Sequence, residues 1–251
     1  MRILTILLLL LPSLLRAQKQ IRISDSLRRH AERYLAGMKS SKALITFPFD
    51  SFFVSSSYDS WETSVMHTLR LKPLRYESGP TRKSRTSFSF VFTNGKGDTA
   101  WVMGLPQDRR LPTFVIGGGG RYEEAIQTQE VFTAYIRTTV DSSLWQLVTQ
   151  ETVNTWKGEP VKGYISNGRT EIRIEEIERM ENGKKSLVPF VGAELYENGQ
   201  PIGAVQFPSV LKPMVWLRRD LGPGKRFLLA AIAETLLISQ SEKYEESNIR
   251  Q

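Results

Sequence analysis

Short strand-like segments, in which large apolar side chains can occupy every second position, recur between residues 43 and 218. The clearest instance is Phe88, Phe90 and Phe92, which are separated from one another by single residues. This period places every second side chain of an extended segment on the same face, so it indicates strands with one buried side. The pattern predicts a chain of short antiparallel strands with an apolar face turned to a common core.

Turn signals separate these predicted strands. Asn and Gly tolerate the positive φ angles of tight hairpin turns, and an Asn-Gly pair between two alternating segments favours a hairpin. The spacing of the pairs leaves room for about one strand on each side of each turn, which predicts a meander. The four pairs are Asn94–Gly95, Asn167–Gly168, Asn182–Gly183 and Asn198–Gly199.

The pattern changes near the C-terminus, where Phe227 to Ile238 is apolar except for Glu234 and Thr235. Pro223 precedes this run and is typical of the first turn of a helix. Twelve helical residues extend about 18 Å, which is short of a hydrocarbon core of about 30 Å. Since the run has no continuous polar face, we expect the strands to enclose it. Glu234 is then expected at an opening or beside an Arg.

A second helix is predicted near the N-terminus, over residues 24–41, with Ser24 or Asp25 as its cap. Apolar residues recur there at spacings of one, three and four, which suits a helical stripe. The stripe consists of Leu27, Ala31, Tyr34, Leu35 and Met38.

The segment Gly192 to Ser239 resembles the end of the tubby C-terminal, LURP-one and phospholipid scramblase superfamily. The similarity lies in a hairpin with an Asn-Gly turn, a following strand, the sequence "DLGPGKR" and the apolar helix. The resemblance implies a closed barrel of about a dozen strands around that helix. It brings no functional residues, because this chain lacks the Cys-rich segment of scramblases. A lipocalin-like or other meander barrel is the alternative architecture.

The expected fold is therefore mainly β: one antiparallel meander β-barrel of about a dozen strands wrapped around a C-terminal apolar helix, with a short N-terminal helix. No linker divides the chain into two globular domains. The expected organisation is a signal peptide over residues 1–17, an N-terminal helix and lead-in over 18–41, the barrel domain over 42–240 and a polar tail over 241–251.

The first residues have the layout of a signal peptide. Met1 and Arg2 form a positive start, Ile3 to Leu15 is mostly apolar, and Ala17 precedes an expected cut before Gln18. The apolar run is shorter than the roughly 20 residues of a membrane span. We expect an exported chain, periplasmic or extracellular, with no transmembrane helix in its mature form; a retained N-terminal anchor is the alternative.

The amino-acid composition excludes several kinds of chemical site. The chain has no Cys and two His, His30 and His67, so disulfides, thiolate metal sites and a multi-His metal centre are excluded. The net charge of +8 falls to +6 when Arg2 and Arg16 leave with the signal. This excess is dispersed, so we expect no nucleic-acid partner and only a mild attraction to anionic envelope surfaces. No catalytic residue, metal or cofactor is predicted.

One loop is unusual enough to be a candidate anion site. Consecutive glycine amides can form a concave nest for an anion, and nearby guanidinium groups would strengthen it. A flexible connector between two strands is the alternative explanation. The candidate residues are Gly117, Gly118, Gly119 and Gly120 with Arg109, Arg110 and Arg121.

Two functions follow from the sequence. The favoured one is a non-enzymatic binding or structural protein of the envelope, whose partner is an anionic lipid, a glycan or another envelope protein. The alternative is a hydrolase of envelope polymers that uses a carboxylate pair, because such a pair needs no local motif. An interior filled by the helix would favour the first, and an open cleft with facing carboxylates the second.

Overall fold

A computed structural model describes residues 20–41, 44–58, 88–109, 129–152, 162–186, 191–208 and 212–249. The helices are α1 (Asp25–His30) and α2 (Pro223–Ile249). The strands are β1 (Ala31–Leu35), β2 (Lys39–Ser40), β3 (Ile45–Thr46), β4 (Phe53–Tyr58), β5 (Phe88–Thr93), β6 (Thr99–Arg109), β7 (Gln129–Thr138), β8 (Leu144–Thr152), β9 (Lys162–Ser166), β10 (Glu171–Ile177), β11 (Gly192–Glu197), β12 (Gln200–Gln206) and β13 (Met214–Arg218).

Eleven of these strands form one antiparallel sheet. From β4 to β13 each strand pairs with the next one in the chain, as the meander prediction required, and β1 joins the sheet beside β13. Strands β2 and β3 form a separate two-stranded sheet. Asn94–Gly95, Asn167–Gly168 and Asn198–Gly199 turn the chain between consecutive strands, and each of their glycines has a positive φ.

The sheet is not closed, so the prediction of a closed barrel is wrong. Its edge strands are β1 and β4, which do not pair with each other. The chain leaves β1 in a different direction: Ala36 N donates to Pro213 O, and Gly37 N donates to Pro48 O. These hydrogen bonds commit the segment between the two edges to the β2–β3 hairpin rather than to a closing strand.

Helix α2 lies at the centre of the curved sheet, as the apolar run predicted. Every side chain from Phe227 to Ser239 is buried. The helix packs against β3, β6, β7, β12 and β13, and its side chains share one core with Phe90 and Phe92 of β5. Helix α2 begins at Pro223, as expected, and continues beyond Ile238 to Ile249. Within the described chain, no helix combines the length and hydropathy needed to cross a bilayer.

The N-terminal helix is shorter than predicted. It ends at His30, because Ala31–Leu35 pairs with β13 and takes its hydrogen bonds from the sheet. The proposed helical stripe is correspondingly broken: Leu27 is buried, whereas Leu35 and Met38 are 56% and 68% exposed. Pairing with a neighbouring strand has overridden a helical pattern that was only local.

Candidate functional site

The outer face of the sheet carries a second, smaller apolar cluster under the N-terminal segment. Ile21, Ile23 and Leu27 pack there against Trp216 and Met214 of β13. Because strand side chains alternate, Val215 and Leu217 of the same strand face the inner core. The N-terminal segment therefore covers one part of the outer face and leaves other parts open.

Two buried polar side chains fix this segment in place. Gln206 Oε1 accepts from Ile21 N at 2.9 Å, and Gln206 Nε2 donates to Lys212 O at 2.7 Å. Glu194 accepts from Ser24 N at 3.2 Å and from Ser24 Oγ at 2.5 Å. Ser24 Oγ in turn accepts from Leu27 N and caps α1, as the sequence predicted. Both polar groups thus have structural partners.

Beside this covered region the outer face forms an open polar groove of about 490 Å³. The groove lies where two neighbouring hairpins, β9–β10 and β11–β12, reach their turns. It is lined by Arg169, Thr170, Glu171, Arg173, Tyr196 and the Asn198–Gly199 turn. We call this feature the outer groove.

The side chains of the outer groove are held by one another. Arg173 Nη2 lies 2.9 Å from Glu175 Oε1, and its guanidinium carbon lies 5.6 Å from the centre of the Tyr196 ring. Tyr196 Oη donates to Glu194 Oε2 at 2.9 Å. Burial, followed by the hydrogen bond to Glu194, raises the pKa of Tyr196, so this phenol remains a neutral donor. These contacts hold the Arg173 guanidinium at the groove.

A carboxylate pair does face across neighbouring strands, but it lacks the features of a hydrolytic pair. Glu175 of β10 is the register partner of Glu194 of β11. Glu194 is 5% exposed, and both its oxygens accept hydrogen bonds from the protein, while Glu175 is paired with Arg173. A general acid or nucleophile needs access to a substrate, and Glu194 has none. The arrangement favours a structural role for this pair.

Among the described residues of the inner core, one ionisable side chain, that of Glu234, is completely buried. Its Oε1 accepts from Phe47 N at 2.7 Å, and its Oε2 has no hydrogen-bond partner among the described groups. The expectation of an opening or an Arg partner is therefore wrong. Burial raises the pKa of Glu234 to about 8, against a smaller lowering by the Phe47 N–H. Burial therefore favours the protonated form of Glu234 near neutral pH, and its Oε1 ties α2 to the segment that follows β3.

Most of the predicted anion loop lies outside the described residues. The backbone of β6 ends at Arg109, whose side chain is not described, and residues 110–128 are outside the described residues. The site formed by Arg109, Arg110, Arg121 and the Gly117–Gly120 amides stays a prediction. Of the two histidines, His30 is exposed, as expected, and His67 is not described.

The anion loop can be tested by binding to vesicles of anionic phospholipid. Replacing Arg109, Arg110 and Arg121 together by Ala should weaken binding at low salt, and added salt should weaken binding of the unaltered protein, because exposed charges are screened. Lys96→Ala, in the exposed β5–β6 turn, is the control and should bind normally. Absence of vesicle binding by the unaltered protein at low salt would contradict the prediction.

Sequence reasoning missed the outer groove. A signal was present, because Asn167–Gly168, which Arg169 follows directly, and Asn198–Gly199 are alternate turns of the predicted meander. Alternate turns of an antiparallel meander lie at the same edge of the sheet. The position of Tyr196 could not be deduced in this way. The register of β11 against β12 shifts between Leu195 and Tyr196, and such a shift has no sequence signature here.

No protein-family model, no curated protein and no solved structure matches this chain. The resemblance of Gly192 to Ser239 to the tubby, LURP-one and scramblase superfamily is neither supported nor contradicted by these comparisons, and it stays a hypothesis.

Proposed function

We propose that the protein is an exported, non-enzymatic binding protein of the cell envelope that contacts its partner with the outside of its sheet. The observation that carries this proposal is the complete burial of α2 from Phe227 to Ser239. Proteins that hold a ligand inside a curved sheet need an internal cavity. Here helix side chains occupy that space, so the accessible surface for a partner is external.

The polar chemistry supports binding over catalysis. Glu234 is buried in the core with no route to a substrate, and Glu194 is fully used in fixing Ser24 and Tyr196. In the part of the chain that is described, no group of three or more His, Cys, Asp or Glu side chains could hold a metal ion. By contrast, the outer groove is open and has donors and acceptors that remain exposed.

Export is supported by the order of residues at the N-terminus, and a cut after Ala17 would leave the packed segment from Ile21 onward intact. We therefore expect the mature protein to begin near Gln18. N-terminal sequencing of the protein purified from the envelope fraction checks this. Recovery of a chain that still begins at Met1 would contradict cleavage and favour the retained anchor.

The proposed function is tested by co-sedimentation of the mature protein with purified cell-wall glycan and, in a separate arm, with phospholipid vesicles. We expect retention in at least one arm and no release of soluble fragments or fatty acids. Release of soluble products by the unaltered protein would favour the hydrolase. Absence of retention in both arms would contradict an envelope-binding role for these two partner classes and leave only a protein partner to be sought by cross-linking in intact cells.

A further inference from the structure

We infer that the outer groove binds a saccharide, specifically an uncharged segment of a glycan chain. This inference rests on the proposed function and names the ligand class and the site. It draws on the size of the groove, on its mixture of donors and acceptors, on the fixed position of Arg173, and on an exposed tyrosine next to it.

The size of the groove suits a small polar ligand. Its volume of about 490 Å³ lies within the range of about 300–1,000 Å³ common for small-molecule sites. The groove is open rather than enclosed, so a polymer could pass across it without a free end. An open site with exposed polar walls is compatible with an internal segment of a chain.

The lining offers both kinds of hydrogen-bonding group. Arg169 and Arg173 provide only donors, Glu171 provides only acceptors, and the side chains of Thr170 and Asn198 provide both. A sugar hydroxyl donates one hydrogen bond and accepts others, so a saccharide needs this mixture. A phosphate or carboxylate would meet the Glu171 carboxylate as well as the guanidinium groups. An acyl chain does not suit this groove, because polar atoms dominate the lining.

Arg173 is held in position before any ligand binds. Its exposed ion pair with Glu175 contributes little to stability, but together with the Tyr196 ring it limits the rotamers of the guanidinium. Tyr196 is in turn fixed by Glu194, which is buried and tied to Ser24. A donor that is already ordered loses less conformational entropy on binding than a free one. Arg169, on the turn, has no ion pair with any described residue and can adjust to the ligand.

An aromatic surface continues from the groove across the sheet. Tyr164 of β9 and Tyr196 of β11 are the two register partners of Arg173, so the three side chains form one cross-strand row. Tyr164 is 42% exposed, although a large aromatic side chain is usually more covered. The C–H face of a sugar ring can pack on such a surface while its hydroxyls reach the groove. The row therefore provides a place for the sugar next to the groove.

The test measures binding to immobilised oligosaccharides of glucose and of N-acetylglucosamine, with an anionic phospholipid vesicle as a separate arm. We expect the unaltered protein to bind at least one neutral oligosaccharide. Arg173→Ala and Tyr164→Ala should each weaken that binding by about tenfold, the effect of losing about 1.4 kcal/mol. Lys184→Ala is the matched control, because Lys184 follows the Asn182–Gly183 pair as Arg169 follows Asn167–Gly168. This control should bind like the unaltered protein.

The salt dependence distinguishes sugar binding from anion binding, and thermal melting shows whether a variant binds weakly because it is less stable. Binding of a neutral sugar should persist when NaCl is raised tenfold, whereas attraction of an anion would fall. Since Arg173 and Tyr164 are exposed, their variants should melt like the unaltered protein. Sugar binding that is unchanged in both variants would overturn the groove assignment and leave the proposed function standing. Vesicle binding without sugar binding would also overturn this inference only. Absence of binding to either material would overturn this inference and would contradict a glycan or lipid partner for the proposed function.

Discussion

Replacing Leu229 or Ile232 by Asp will abolish soluble expression of the protein. Both side chains are fully buried in α2, and burial of each stabilises the folded state by about 1.5–3 kcal/mol. Asp removes this contribution and adds the desolvation of a carboxyl group for which the described core provides no cationic partner. The lost burial free energy and the cost of desolvation together approach the whole free energy of unfolding of an ordinary domain, about 5–15 kcal/mol.

A milder substitution at the same position should cause a loss of stability that can be measured. Leu229→Ala should fold but be less stable by about 2–5 kcal/mol, because truncation also leaves a cavity. For a protein of this size the melting temperature would fall by about 4–20 °C. Leu35→Asp is the matched control, because Leu35 is 56% exposed at the sheet edge, and it should change the stability by only about 0.5 kcal/mol. Melting of Leu229→Asp within a few degrees of the unaltered protein would mean that α2 is peripheral.

Glu234→Gln will remove a large part of the pH dependence of stability. Burial raises the pKa of Glu234 from 4.5 to about 8, so between these values the folded chain holds a proton that the unfolded chain has lost. The free energy of unfolding must then fall as pH rises. The stabilisation by the protonated form is complete below pH 4.5 and is lost by the time pH passes about 8. The loss is on the order of a few kcal/mol.

Gln is a suitable probe because it keeps an acceptor for Phe47 N and cannot ionise. Denaturant unfolding from pH 5 to pH 9 should show a steeper decline for the unaltered protein than for Glu234→Gln, with the two closest at pH 5. Glu171→Gln, which removes an exposed carboxyl group, should retain the decline. Equal pH dependence in the unaltered protein and Glu234→Gln would show that Glu234 ionises freely and that the core around it admits water.

The sequence was sufficient for the features that depend on local pattern. The alternation of Phe88, Phe90 and Phe92 placed all three in the core, since a period of two needs only the strand itself. The lack of a polar face on Phe227–Ile238 was enough to predict an enclosed helix. Asn-Gly pairs marked hairpin turns because their backbone requirement is also local.

Features that depend on distant partners were not predictable. Glu234 is separated by 187 positions from Phe47, and no local pattern indicates that this backbone N–H would be its partner. The segment Ala31–Leu35 contains a helical spacing of apolar residues, but β13 offered it a complete ladder of hydrogen bonds. Closure of the barrel failed for a similar reason, because Gly37 and Pro48 direct the chain into a hairpin of its own.

The outer groove also depends on residues that are distant in the sequence, so this candidate site could not be predicted either. Arg173 and Tyr196 belong to different strands and meet only because of the register between β10 and β11. The sequence drew attention instead to a glycine-rich loop, where the chemistry is visible in consecutive residues. Sites assembled across a sheet are less visible in a single sequence, although the two turns that frame this groove were both predicted.

The central claim is that α2 fills the interior and leaves the partner outside, and hydrogen–deuterium exchange of the native protein tests it most directly. Peptides covering Phe227–Ile238 should stay protected to the limit set by global unfolding, because opening of a buried central helix requires loss of the core. This protection should be unchanged by a bound oligosaccharide, while peptides covering Arg169–Arg173 should become slower to exchange. Exchange of α2 within seconds, or protection of α2 that appears only when the sugar is added, would contradict the account.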